Sequence, residues 1–218
     1  MPRETLTDIT MLTDRSGSMR AIREGTIAGI NKFVEDQAKE PGEVAWTFVL
    51  FDDPASAAGR GEFFPNILQP IATSKPPVLN EYNYVPAGDT ALVDAVCLLI
   101  DATGQRFAAM RDEDRPSKVL FVIMTDGKEN ASKRFSRADM NVRIAHQQTK
   151  YNWQFVFLGA NQDAVAEAQS YGIRQDAART YQHTNQSVFE TCGLVSAGTS
   201  KYREEKTSGA AFSFPADK

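Results

Sequence analysis

Asp14, Ser16 and Ser18 occupy alternate positions of a polar stretch, DRSGS, that cuts off the apolar run Ile9–Leu12. A carboxylate and two hydroxyls at this spacing are hard oxygen donors, the chemistry that suits Mg2+, Mn2+ or Ca2+. The same residue types also make ordinary turns, and both serines could simply cap the helix that follows. What separates the two readings is whether other segments bring similar donors to the same point.

Two segments qualify. Gly88-Asp89-Thr90 precedes a helical pattern, and Thr125-Asp126-Gly127 follows the most apolar run of the chain, KVLFVIM at 118–124. Taken singly, Thr90 is a possible helix cap and Asp126 a possible turn residue. Taken together with DRSGS, the segments offer two carboxylates and three hydroxyls. No cysteine accompanies them, and neither His146 nor His183 lies within them, which excludes a zinc-type site and leaves a hard cation. In such a site the serine hydroxyls would bind the ion directly and the carboxylates would hold its waters. An open coordination position would then attract a Glu or Asp of another protein, and chelation would abolish binding.

These donors need a scaffold that gathers them, and the pattern of the chain supplies one. Apolar runs at Thr7–Thr13, Val44–Phe51, Lys118–Met124 and Trp153–Leu158 read as buried strands, with a weaker one near Arg179–Gln182. Between them, helical periodicity marks Met19–Lys39, Leu92–Met110, Arg137–Thr149 (capped by Ser136), Asp163–Tyr171 and Gln186–Tyr202. The run Phe63–Ile71 carries two prolines and reads as an edge strand or an irregular connection, and 73–88 as loop. Trp46 and Trp153 fall in strands and are expected in the core. Strands alternating with helices imply a mostly parallel sheet with helices on both faces. Ligands of such sheets bind beyond the carboxyl ends of the strands, where the strand order reverses. Asp14 and Asp126 both lie at such ends.

The bulk numbers narrow the function classes. The chain has 218 residues, 42% hydrophobic and 24% charged, enough for one medium domain with its own core. A formal charge of -4 and a pI near 5.3 argue against a nucleic-acid surface. No apolar run approaches the roughly 18 residues of a membrane span, and MPRETLTD lacks the apolar core of a signal peptide. An intracellular, cytoplasmic location is expected, with Cys97 and Cys192 as buried reduced thiols. The Asn130 and Asn185 glycosylation patterns carry no weight without secretion. No repeat or linker divides 1–218, and the tail from Arg203 reads as polar and partly disordered.

DRSGS at 14–18, GDT at 88–90 and TDG at 125–127 together resemble the metal-ion-dependent adhesion site (MIDAS) of von Willebrand factor A-type domains. The helix after Thr90 continues with Asp94-Ala95, as is common in that family, and the similarity covers about residues 5–202. FLGANQDA at 157–164 and Glu129-Asn130 are similar to compact bacterial and phage members. The resemblance implies a Rossmann-like, doubly wound, six-stranded, mostly parallel sheet with one antiparallel edge strand near Phe63–Ile71. It implies that Asp14, Ser16, Ser18, Thr90 and Asp126 hold the metal. It also implies metal-dependent protein binding without catalysis, by a monomer or by metal-dependent self-association.

Several neighbours of the motif have plainer readings. Arg15 is expected at the rim or as a solvated charge, Asp52 and Asp53 as a turn that closes a strand before Pro54, and Asp89 and Glu129 at the rim. Two other functions compete with adhesion. A metal-dependent hydrolase or phosphatase would need a second acid two residues after Asp14, where Ser16 stands, and a histidine in a motif. A self-assembling structural protein would fill the same site with a neighbour's carboxylate.

Overall fold

The computed structural model describes residues 2–69, 78–160, 163–205 and 209–215. Five strands of the sheet are parallel: β1 (Arg3–Asp14), β2 (Glu43–Phe51), β4 (Pro116–Thr125), β5 (Gln154–Ala160) and β6 (Ala178–Tyr181). Their spatial order is β2-β1-β4-β5-β6. The four-residue β3 (Asn66–Gln69) lies antiparallel along the outer edge of β2. Of the run expected there, residues 63–65 stay outside the strand, and Pro70 and Ile71 lie outside the described residues.

Residues 120–124 of β4 and 48–51 of β2 are completely buried in unbroken succession, so both faces of the sheet are covered. The covering elements are α1 (Arg23–Lys39), α3 (Leu92–Ala109), α4 (Arg137–Tyr151), α5 (Ala164–Ser170) and α6 (Asn185–Glu204). They pack in part as pairs, α1 with α6 and α3 with α4. Both tryptophans are core residues. Trp46 meets Phe33 edge-on at 5.8 Å, and Trp153 stacks on Phe121 at 5.5 Å. None of the helices among the described residues is long and apolar enough to cross a membrane. Cys97 and Cys192 are both free and buried.

Local chemistry sets the helix starts. Ser136 and Asp139 form a reciprocal capping box at α4, Asp139 N–H on Ser136 Oγ at 3.2 Å and Ser136 N–H on Asp139 Oδ2 at 2.8 Å. The helix expected from Met19 opens as a tighter 3-10 segment, Gly17–Ile22, before α1 proper. The turn expected at Asp52-Asp53-Pro54 starts a short helix instead, α2 (Pro54–Gly59), which Asp53 caps through the N–H groups of Ala55 and Ser56.

The tail departs most from expectation. Beyond α6, Ala210 and Phe212 are buried, and Phe212 N–H donates to Gln154 Oε1 at 3.2 Å. Phe212 packs over Gly198, where a β-carbon would come within 2.8 Å of its ring. Polar composition concealed one aromatic with a slot made for it. Phe212→Ala should lower the unfolding free energy by about 3–5 kcal/mol in a denaturant titration. Gly25 of α1 tests the α1–α6 contact, because an added β-carbon would meet Asn185 O at 2.3 Å. Gly25→Ala should cost about 1–3 kcal/mol, whereas Gly104→Ala, in open space on α3, should gain up to about 1 kcal/mol.

Candidate metal centre

β1 connects to β2 on one side and β4 lies on its other side, so the strand order reverses between β1 and β4. Register places Thr13 opposite Met124, and the two strands release Asp14 and Asp126 side by side. Asp14 is the last residue of β1 and is completely buried; the Asp126 side chain is also fully enclosed.

From Asp14 a continuous polar chain runs to Asp126. Asp14 Oδ1 accepts from Ser16 N–H at 2.6 Å, which closes the DRSGS turn back on its own carboxylate. Ser16 Oγ lies 3.1 Å from Ser18 Oγ, and Ser18 Oγ donates to Asp126 Oδ1 at 2.6 Å. Thr90 joins from the third segment: a β-carbon built on Gly127 would stand 3.0 Å from Thr90 Oγ1 and 3.8 Å from Ser18 Oγ. All five residues expected at one point are therefore together. Backbone contacts hold the loops in place, Gly17 N–H on Gly88 O at 2.9 Å and Tyr84 Oη on Asp14 O at 2.7 Å.

The electrostatics suit a cation. Burial first, and then the nearby Asp126 carboxylate, raise the Asp14 carboxyl against hydrogen bonds from Thr125 and Ser16 that lower it, with a resulting pKa of about 7. Two enclosed carboxylates joined by hydroxyls form a hard-oxygen set that fits a divalent ion.

The structure adds residues to this centre that pattern reading did not reach. Thr125 Oγ1 donates to Asp14 Oδ2 at 2.6 Å, so the residue before Asp126 also serves the cluster. His183, in the turn between β6 and α6, places Nε2 2.6 Å from Asp126 Oδ2. That overturns the ground on which zinc was set aside, because the fold brings an imidazole against one of the carboxylates. The available signal was position alone, since His183 follows the weakest of the strands.

Of the expected rim residues, Glu129 and Arg15 are structural instead, whereas the Asp89 side chain is exposed. Glu129 accepts from Val93, Ala131 and Ser132 N–H and from Ser132 Oγ, which ties its loop to the start of α3. Asn130 Oδ1 accepts from Thr90 N–H at 2.8 Å, and the Asp94 carboxylate accepts from the N–H groups of Lys133, Arg134 and Phe135. Arg15, expected at the rim, is 2% exposed; it lies 3.4 Å from Asp52 and 2.5 Å from Glu62. Asp53 Oδ2 accepts from Asp89 N–H at 3.0 Å.

A parallel α/β fold with this cluster at its reversal point defines the class: the chain has the fold of von Willebrand factor A-type proteins. No family model and no curated protein matches the sequence. Among solved structures it is similar to proximal thread matrix protein 1 from the mussel byssus, at 16% identity and a TM-score of 0.57, over 87% of this chain and 46% of that one. A second structure of that protein, with a zinc-occupied MIDAS motif, matches at 16% identity and 0.57 over 88% and 48%. A von Willebrand factor type A protein from Catenulispora acidiphila matches at 15% identity and 0.57 over 89% and 42%. The chain thus spans less than half the length of these structures.

Asp14 gives a pH test. Its folded pKa lies above the ordinary carboxylate value of 3.8, so the folded state holds the proton more tightly than the unfolded state does. In EDTA, this group's contribution to stability is complete below about pH 4 and is lost as pH rises through about 7. In Asp14→Asn the amide oxygen can still accept from Ser16 and the NH2 can donate to Thr125. Thermal melts in EDTA between pH 5 and 8 should therefore show a flatter profile for Asp14→Asn than for the unaltered chain.

Proposed function

We propose that this chain is a metal-dependent protein-binding module. Asp14, Ser16, Ser18, Thr90 and Asp126 would hold a divalent cation, Mg2+ or Mn2+ in the first instance, as an adhesion site of the MIDAS kind. The observation that carries the reading is the unbroken chain from Asp14 through Ser16 and Ser18 to Asp126, located where the strand order reverses. The bound ion would supply a positive centre for an incoming acidic side chain. The protein's own groups would do the rest: Thr125 and the Ser16 N–H orient Asp14, and His183 orients Asp126.

The partner on this reading is a protein that presents Glu or Asp, and no catalytic step is assigned. The zinc carried by one structural neighbour and the imidazole beside Asp126 support testing Zn2+ together with Mg2+ and Mn2+. Free, buried Cys97 and Cys192 suit the reducing cytoplasm of a bacterial or phage-infected cell.

Calorimetry decides the metal part. The unaltered chain should bind Mn2+ or Mg2+, and Asp14→Ala and Asp126→Ala should each lose at least about tenfold in affinity. Equal affinity in all three proteins would sink the assignment. A partner captured in Mg2+ should be released by EDTA and by Asp126→Ala. Size-exclusion chromatography with and without Mg2+ separates self-association from binding to a different protein, since only a metal-dependent oligomer makes the partner a second copy.

A further inference from the structure

Arg15 fills the variable position between Asp14 and Ser16, yet it is among the most enclosed charges in the protein. Its Nη2 lies 2.5 Å from Glu62 Oε2, Nη1 lies 3.3 Å from Glu62 Oε1, and Nε lies 3.4 Å from Asp52 Oδ2. Arg60 completes a ring of four charges: it pairs with Asp52 and places Nε 3.0 Å from Glu62 Oε2. The ring is internally neutral, two cations against two carboxylates, and its members stand just beyond the ends of β1, β2 and α2.

The 51–62 stretch touches both loops of the candidate centre. On one side, Arg15 N–H donates to Phe51 O at 2.7 Å. On the other, Ala91 N–H donates to Asp52 O at 2.7 Å, and Asp89 N–H donates to Asp53 Oδ2 at 3.0 Å. Thr90 lies between those two donors. Arg15 O also accepts from Ala87 N–H at 2.8 Å. Gly88 adds an independent mark of close packing, for a β-carbon there would come within 2.2 Å of Ser56 Oγ and 2.4 Å of Asp53 Oδ2. Its φ of +78° is also one that glycine adopts without strain.

We infer that Arg15 is a positioning residue for the metal centre. Its forked guanidinium holds the 52–62 segment against the DRSGS turn, and that segment fixes where Thr90 stands relative to Ser16 and Ser18. A buried ion pair adds little net stability compared with apolar packing, but its forked geometry is specific. The inference rests on the reading that the five oxygen donors hold a cation.

Sign separates this role from a simple field effect. Arg15→Met removes a positive charge beside the centre, which by Coulomb attraction alone would raise affinity for a cation. Positioning calls for the opposite. The experiment compares the unaltered chain with Arg15→Met, Arg15→Lys and Arg15→Met/Glu62→Gln, the last restoring neutrality to the ring. Mn2+ affinity is read by calorimetry, melting temperature in EDTA, and amide hydrogen exchange in EDTA. Arg15→Met should lose about tenfold or more in Mn2+ affinity, in the range seen when outer partners of metal ligands are removed. Exchange should speed up at Ala87, Asp89 and Ala91, while the Asp94-bound amides of Lys133, Arg134 and Phe135 stay protected. The double variant should recover melting temperature without recovering affinity, and Arg15→Lys, with charge but no fork, should resemble Arg15→Met.

Unchanged exchange at Ala87, Asp89 and Ala91, or an affinity that holds or rises in Arg15→Met, would overturn the inference. So would an affinity that returns with melting temperature in the double variant, which would make Arg15 merely structural. A separate failure is visible in the unaltered chain: no Mn2+ binding there removes the metal reading itself, and with it the claim that Arg15 positions a metal centre.

Discussion

Two carboxylates buried side by side at the ends of neighbouring parallel strands are the constraint on which the rest of the structure turns. Asp14 and Asp126 repel each other where both are enclosed, and burial is the largest of the effects that together raise Asp14 to a pKa of about 7. Much of the surrounding architecture delivers hydrogen-bond donors to that spot. Ser16 N–H, Thr125 Oγ1, Ser18 Oγ and His183 Nε2 each address one carboxylate oxygen. The apolar flanks Ile9–Leu12 and Val119–Met124 force both strands into the centre of the sheet, and so force their polar ends together. The core places the charges, and the loops make the placement tolerable.

Legibility followed sequence distance. Continuous apolar runs identified the central strands, and Ser136 as a cap identified the start of α4, because each signal is local. The donors Asp14, Ser16, Ser18, Thr90 and Asp126 were readable because strand ends in a parallel sheet share one edge, so topology substitutes for spatial knowledge. His183 and Arg15 were not readable. A lone histidine after a four-residue strand gives no period and no motif, and an arginine in a polar turn gives no sign that Asp52 and Glu62 will enclose it. Phe212 failed for a related reason, since an aromatic in a polar tail gives no period and is invisible until Gly198 is known to leave room for it.

The same contrast explains how the fold is shared at 15–16% identity while no family model matches the sequence. A sheet of this kind asks only for apolar strands of suitable length and helices with one apolar face, conditions that many sequences satisfy. The loops must meet narrower demands. Glu129, Asn130 and Asp94 together satisfy seven backbone N–H groups around the start of α3, so the polar loop after Asp126 is held by side-chain acceptors rather than by strand pairing. A change of one acceptor there frees several donors at once, which makes the loops the less forgiving part of the molecule.

The docked tail has a geometric consequence for anything joined to this chain. Ala210 sits near Glu4 and Thr5 at the entry to β1, near Lys118 at the start of β4, and beside Asn152, whose Nδ2 donates to Ala210 O at 3.2 Å. Phe214 N–H reaches Asp176 just before β6. Both described ends of the chain therefore leave from the strand-entry side of the sheet, opposite Asp14 and Asp126. A tether at either end would hold the molecule by its back, with DRSGS facing outward.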